Sequence, residues 1–449
     1  MLMLEAGFLM ILLKYNFLPN KLNKKPVSKD RFFVLEKQNI QTITGGVMLI
    51  NEVLRSFYQE EGEPIVPSSP LKAGEVLEKI SHLDFGLFFK ACSQIFKNDQ
   101  TLKKIVAGQV GEDMVNFFNN YIDSAPLACV FRLDIVVSSG RPYIVEIETM
   151  PGGRGVTSCA EEQLLGKSNL IEDYVSFLER EKLDDQKIIY GINNAFKGYE
   201  SDCSYFVKRV KEKGINISLG NIEETGIPKG CFVDRFYYLP ELNKQALATS
   251  RKKRNKQFLH PGLSFLGSKI WMAVLHDPTY EPYWVMYMGK DEFVKFKESV
   301  ATTFLLHEGN SETVAYYPRN LIKKHLVKSG EMEKMISSET TSLNLGKSIG
   351  SKAWQESILA LADNNGRPVA NSWRGGKFGI PLVQEFNSSD KFSIEVKNGN
   401  VASYEGKARF SPFVFLNSDG TSIFHKGMAT IRNSDIVHGA SDAVSTCVL

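Results

Sequence analysis

The chain has 449 residues, of which 43% are hydrophobic and 23% charged, and a formal net charge of +3. That length exceeds one compact core and points to two to four domains or subdomains, while the near-neutral balance excludes a whole-protein field that would draw polyanions. Six scattered cysteines, Cys92, Cys129, Cys159, Cys203, Cys231 and Cys447, form no CxxC pair, so neither zinc nor a disulfide framework is indicated and a reducing cytoplasm is expected.

Met1 to Leu13 are apolar apart from Glu5, a run too short to span a bilayer and without the basic residues that open a signal peptide. It reads as a buried helix, or as an upstream extension of a chain whose natural start is Met48. From Val47 to about Ser124 apolar residues recur at three and four, predicting helices over Met48–Tyr58, Ala73–His82, Phe85–Phe96 and Met114–Ile122. Pro64, Pro67 and Pro70 separate the first of these from the rest. Residues 1–125 are therefore expected to be a mainly helical region.

Two strand-like runs follow. Ala128 to Val137 places Cys129, Phe131, Leu133, Ile135 and Val137 on one face and Arg132 and Asp134 on the other. Ser138-Ser139-Gly140-Arg141-Pro142 supplies a turn. Tyr143 to Glu148 then groups Tyr143, Val145 and Ile147 against Ile144, Glu146 and Glu148. A short hairpin would set Asp134 opposite Glu146 and Arg132 opposite Glu148. Like charges across an antiparallel pair repel, and one arginine cannot neutralise three acids. The grouping therefore suits a hard cation such as Mg2+, or else it is a solvated face with ordinary surface ion pairs. The glycines of Met150-Pro151-Gly152-Gly153-Arg154-Gly155 let backbone approach a phosphate, or simply make a loop. A helix from about Glu161 to Glu181 closes this section, 126–185.

Lys187–Ile192, Ile215–Leu219 and Phe232–Tyr237 read as strands around an amphipathic helix, Ser201–Lys213. Strand, helix, strand with short connections implies a parallel sheet, so 186–310 is expected to be an α/β domain. The basic run Arg251 to Lys256 reads as a solvated loop, otherwise as a lid or anion contact. In 311–449, His325–Lys328 and Ile380–Phe386 read as strands, and Lys347 lies in a glycine-spaced segment before a helix over Lys352–Ala362. Two further alternating strands carry Arg409 and Arg432. GxSxG, HExxH and P-loop patterns are absent.

The order Arg132-Leu133-Asp134, Glu146-Ile147-Glu148, an α/β unit, Leu326-Val327-Lys328 and Val383-Gln384-Glu385 resembles the circularly permuted ATP-grasp ligases, of which glutathionylspermidine synthetase is the best known. The likeness covers about residues 126 to 449. It implies a mixed α/β, ATP-grasp-like fold, with 126–185 the metal-binding half of the site and 311–449 the nucleotide-binding section. By the same resemblance Asp134, Glu146 and Glu148 would ligate Mg2+, although the family usually has asparagine where Glu148 stands. Arg132 would steady the transferred phosphate, Lys328 would meet the ATP phosphates, and Arg432 would lie at the reacting groups. Lys347 and Arg409 would contact the nucleotide, and Gln384, Glu385 and Phe386 would form the adenine hinge. The family usually follows its lysine with proline and a glycine loop, where this chain has Ser329-Gly330-Glu331-Met332. The implied activity is ATP- and Mg2+-dependent ligation of a small-molecule or peptide carboxylate to an amine, with no nucleic acid and no membrane as partner. The alternative is a non-catalytic relative that binds nucleotide or serves as a scaffold.

Overall fold

Alternating apolar and polar residues build the largest sheet, and its hairpin sets the expected acid and arginine positions opposite one another by way of a bulge. In the computed structural model, β2 (Cys129–Ser138) and β3 (Arg141–Glu148) pair antiparallel with Arg132 opposite Glu148 and Asp134 opposite Glu146. The register shifts between Asp134 and Ile135, so that Ile144 faces Ile135 and Val145 is the extra residue. One extra residue moves the neighbouring side chains to opposite faces. Ile144 is accordingly buried beside Ile147, while Tyr143 and Val145 are half-buried. This corrects the expected grouping of Tyr143, Val145 and Ile147. Asp390 holds the turn, accepting from the Ser139 and Gly140 amides at 2.9 and 2.8 Å.

The structure describes residues 66–100, 102–103, 129–237, 259, 264–267, 269–305, 325–330, 380–385, 387–398, 400–433, 437 and 443–449, with backbone alone for 66, 195, 264–265, 304–305, 325–330, 380–385, 397–398 and 400–401. These residues belong to one compact unit, Val47–Leu449. The expected helices over 48–58, 114–122 and 352–362, the basic run 251–256, Lys347 and Phe386 lie outside the described residues.

Strands β10 (Lys391–Asn398), β11 (Asn400–Leu416), β12 (Ser422–Arg432), β13 (Val444–Cys447) and the short β1 (Val66–Pro67) complete a seven-stranded antiparallel sheet. β11 is long enough to pair with β10 along its first half and with β2 along its second. The section 126–185 therefore shares its sheet with 311–449. One face of this sheet, with Phe131, Leu133, Ile135, Phe410 and Val414, enters the main core. There it meets α1 (Gly74–Ser81), α2 (Phe85–Asn98) and the helices α6 (Ile270–His276), α7 (Glu281–Met288) and α8 (Lys290–Ser299). Aromatic rings lock the contact: Phe85 and Phe89 each meet Phe131 edge-on at 5.1 Å, and Phe88 stacks between Phe296 at 4.8 Å and Trp284 at 5.5 Å. Full burial of each such side chain contributes about 1.5–3 kcal/mol.

The opposite face carries α3 (Arg154–Leu165) and α4 (Asn169–Arg180). These replace the single helix expected over Glu161–Glu181. Gly166 takes the left-handed conformation (φ +79°) that ends α3, and the Ser168 hydroxyl accepts the Ile171 amide at 3.3 Å to cap α4. Val130, Phe413 and Phe415 join Tyr174 and Phe177 of α4 in a second core.

That core also takes in the expected parallel sheet, β4 (Ile188–Ile192), β5 (Ile217–Asn221) and β6 (Phe232–Phe236), in the order β5-β4-β6. Helix α5 (Glu200–Glu212) makes the crossover between β4 and β5. A third, antiparallel sheet has the order β7-β9-β8, from Thr303–Leu305, Ile380–Glu385 and His325–Gly330. The fold is thus mixed α/β with both antiparallel and parallel sheets. Among the described residues no helix is long and apolar enough to cross a membrane, and all six cysteines are free.

Candidate functional site

Pairing of β3, β2, β11 and β12 lines up polar positions across the sheet face opposite the main core. Glu148 and Glu146 on β3, Arg132 and Asp134 on β2, Arg409 and Ser411 on β11, and Thr430 and Arg432 on β12 occupy neighbouring rungs. The three acids are buried, with Asp134 only 1% exposed, Glu148 5% and Glu146 8%. A solvated hairpin face is therefore excluded.

Burial of charge is costly unless each group finds a partner. Asp134 is met from both sides: Arg132 Nε donates at 3.1 Å, the Ser411 hydroxyl donates to the same oxygen at 3.2 Å, and an Arg409 guanidinium nitrogen stands 3.4 Å from the other. Arg132 also donates at 3.0 Å to the carbonyl of Gly152, which ties the sheet to the loop before α3. Burial alone would favour neutral Arg132, but Asp134, Glu148 and Glu146 outweigh it and hold the guanidinium above its ordinary pKa. Glu148 accepts the Met150 amide at 3.4 Å.

Glu146 has a partner that sequence reading missed. Lys269 Nζ lies 3.1 Å from a Glu146 oxygen, with the lysine side chain 13% exposed. It follows a 3-10 turn, Ser264–Gly267, that packs on the end of β3. A Cβ on Gly267 would come within 2.7 Å of the Thr149 hydroxyl, so only glycine lets this turn approach so closely. Neither periodicity nor a motif flags Lys269; the close approach of Gly267 is visible only in the fold.

Among the described residues, three carboxylates thus face three cations, Arg132, Arg409 and Lys269. The premise that one arginine must neutralise three acids is corrected, because Arg409 and Lys269 arrive from distant segments. Among the described residues no group of three or more His, Cys, Asp or Glu side chains is arranged to hold a metal ion. The donor chemistry is all oxygen, as a hard cation requires, yet among the described residues cations already stand against these acids and the arrangement does not fit a bound divalent ion.

Arg432 shares this face but stands at the end of β12 opposite Lys407, beyond Thr430 and Arg409. The structure does not bring it into the Asp134 cluster by any described contact. Lys328, Gln384 and Glu385 lie on adjacent strands of the third sheet, where Lys328 pairs with Leu382, Leu326 with Gln384 and His325 with Glu385.

The glycine-rich loop holds no place for a phosphate at α3. Asp202 of α5 already accepts the Gly153 and Val156 amides at 3.0 and 2.7 Å, filling the anion position at the helix start. Burial raises the Asp202 pKa to about 6, outweighing the amides that favour its charge. Two further buried polar networks flank the site. Glu161 accepts from Ser168 and the Leu170 amide at 2.9 Å and pairs with His425 Nε2 at 2.8 Å. The Gly427 amide donates to His425 Nδ1 at 2.9 Å, which places the imidazole proton on Nε2. Arg154 pairs with Asp234 at 2.6 Å, and Tyr174 donates to the same carboxylate at 2.8 Å.

No known family and no curated protein matches the chain. Among solved structures it is similar to a chain described as "Putative gamma-glutamylcysteine synthetase from METHYLOBACILLUS FLAGELLATUS KT", at 10% identity over 82% of this chain and 85% of that one. The TM-score is 0.39. A likeness that distant settles neither fold nor chemistry.

Proposed function

We propose that the chain is an ATP-dependent carboxylate–amine ligase of the permuted ATP-grasp type. The reading rests on one observation above all: Asp134 is gripped by Arg132 and Arg409 on a buried sheet face, where the resemblance puts phosphoryl transfer. The substrates would be a small-molecule or peptide carboxylate and an amine. A carboxylate oxygen attacks the γ-phosphorus and ADP leaves; the amine nitrogen then attacks the acyl carbon, phosphate leaves and an amide forms.

The protein's part in such a reaction is alignment and screening of charge rather than covalent work. Arg132 and Arg409 would face the transferring phosphoryl group, and Lys328 would meet the ATP phosphates. Gln384 and Glu385 would offer backbone groups to adenine from the strand beside it, with Lys347, Phe386 and Arg432 as further contacts. Magnesium enters this reading only as the ion that accompanies ATP.

The test is release of ADP from ATP and Mg2+ across a panel of acids and amines. Arg132→Met should lower the rate about 10²–10³-fold, the loss expected on removing one preorganised charge donor, while the melting curve stays cooperative. Unaltered turnover would refute its role. The balance of three acids by three cations favours a second reading, a non-catalytic nucleotide-binding or scaffold protein. Under that reading ATP raises the melting temperature and no ADP appears with any acid and amine.

A further inference from the structure

We propose that Asp202 is a positioning residue for Arg132, acting through the single peptide unit that joins Gly152 to Gly153. This rests on the ligase reading for what Arg132 does, and on the hydrogen bonds alone for how Arg132 is held.

The two ends of that peptide unit face different parts of the molecule. Its carbonyl accepts from Nη1 of Arg132 at 3.0 Å, and its N–H, carried by Gly153, donates to an Asp202 oxygen at 3.0 Å. A carboxylate, a peptide and a guanidinium therefore form one chain from α5 to β2. Hydrogen bonds in series strengthen one another, so a charged acceptor on the N–H makes the carbonyl a better partner for the arginine. Arg132 Nε already donates to Asp134 at 3.1 Å. The second contact stops the guanidinium plane from turning about the first.

The peptide unit has little freedom to adjust. Gly153 takes the left-handed conformation (φ +83°) and has no side chain with which to cap α3. The cap comes instead from α5, where the other Asp202 oxygen accepts the Val156 amide at 2.7 Å. At Gly155 the two helices touch so closely that a Cβ would come within 2.0 Å of the Asp202 carbonyl oxygen. On the other side, a Cβ on Gly152 would stand 3.1 Å from the Phe236 ring of β6. That ring is packed against Phe196, Tyr199 and Tyr190 at 5.2, 5.4 and 6.4 Å, so it cannot give way. Helix α5 and strand β6 thus clamp the peptide between them and aim its carbonyl at Arg132.

A plain helix cap is the simpler role for Asp202. It accounts for the two amides but not for the charge, since a serine or asparagine caps as well without the cost of burying a carboxylate that is 1% exposed. Its pKa of about 6 leaves Asp202 ionised at neutral pH in spite of that burial. A negative charge on the far end of the chain is what a guanidinium at the near end rewards.

The experiment reads rotation of the Arg132 guanidinium by 15N NMR of its Nη groups, assigned by their loss in Arg132→Met, alongside ADP release. Asp202→Ala is expected to speed the rotation about tenfold, the worth of one hydrogen bond to a charged group. It should also lower kcat about 10- to 100-fold, with KM for ATP little changed. Asp202→Asn, which keeps an oxygen toward the Gly153 amide, should recover part of both. Should Asp202→Ala fail to fold, Gly152→Ala makes the same test with Asp202 intact. Its methyl group pushes the peptide away from Phe236 and should speed the rotation, and Phe236→Leu added to it should slow the rotation again. Unchanged rotation in Asp202→Ala, or in Gly152→Ala where the first variant does not fold, overturns the inference. Absence of ADP release from the full chain would sink the ligase reading alone, because the rotation needs no substrate and still decides the role of Asp202.

Discussion

Two buried arginine–aspartate pairs lie on either side of the loop before α3, and they differ in how completely they are enclosed. Arg154 and Asp234 meet at 2.6 Å with both side chains essentially inaccessible. Arg154 is walled by the rings of Tyr190, Phe206 and Tyr174, at 5.2, 5.5 and 5.8 Å, and Tyr174 donates its hydroxyl to the same aspartate. Burial opposes the charge on Arg154, but Asp234 keeps its pKa above the ordinary value. Arg132 and Asp134 stand two residues apart on one strand at 3.1 Å, with 15% of the Arg132 side chain exposed. Nothing aromatic encloses that pair among the described contacts. The first pair staples helix to parallel sheet; the second stays partly open beside Arg409 and Glu146, which is the feature the proposed ligase reading uses. Burial of an ion pair alone therefore does not distinguish the two, whereas the degree of enclosure does.

The sharpest way to break that distinction is Arg154→Met. Asp234 would be left charged in a sealed core, and a loss of about 3–5 kcal/mol is expected, read by urea denaturation. A second change, Asp234→Leu, should recover much of it, because replacing both partners of a buried pair with apolar groups is often nearly neutral. A loss below about 1 kcal/mol for Arg154→Met would show that the pair is no staple.

Next in size is the pH response of Asp202, at the start of α3. Its pKa is raised from 3.8 to about 6 in the folded chain, chiefly by burial. A raised carboxyl means that the folded state holds its proton more tightly than the unfolded state does. Stability from this group is therefore fullest below pH 4 and declines as pH rises to about 6, by about 3 kcal/mol. Denaturation across that range, compared with Asp202→Asn, should show the decline flattened in the variant. A slope unchanged by the substitution assigns the effect to other groups.

These features were unequally legible. The hairpin followed from a two-residue period and a Ser-Gly turn, although that turn pairs Ser138 with Arg141 and only the extra residue Val145 then sets Asp134 opposite Glu146. So did the parallel sheet, where β4, α5 and β5 succeed one another with short links. Local reading failed where one residue alters the phase, as at Val145, or where Gly166 and Ser168 divide a continuous helical pattern into α3 and α4. It failed more deeply at the site itself. Arg409 could be placed on a polar strand face, but its contact with Asp134 depends on β11 lying beside β2, a pairing of segments far apart in the chain. Lys269 depends on a turn whose seat on β3 no spacing encodes, and the His425–Glu161 pair likewise joins β12 to α3.

Within the charged face the expected effects are smaller. Arg409→Met removes one of the two arginines on Asp134, while Arg132 and Ser411 remain bonded to it, so a stability loss of about 1–2 kcal/mol is expected. ADP release should fall far more than that figure suggests. A variant with wild-type turnover and the same stability loss would move Arg409 from the chemistry to the scaffold.

Smallest of all is the pair between Lys391 and Glu405 at 2.9 Å, on β10 and β11 of the same sheet, whose side chains are 63% and 55% exposed. Its separation is shorter than that of Arg132 and Asp134, so a scale based on distance would rank it higher. Water screens both partners, and two long side chains must be immobilised to make the contact, which leaves a net contribution between about 0 and 1 kcal/mol. Lys391→Ala should therefore move the urea midpoint only slightly, and the remaining difference should vanish in high salt. A large, salt-resistant loss would mean that distance rather than enclosure governs the charges of this sheet, and the contrast between the sealed and the open arginine pairs would lose its physical basis.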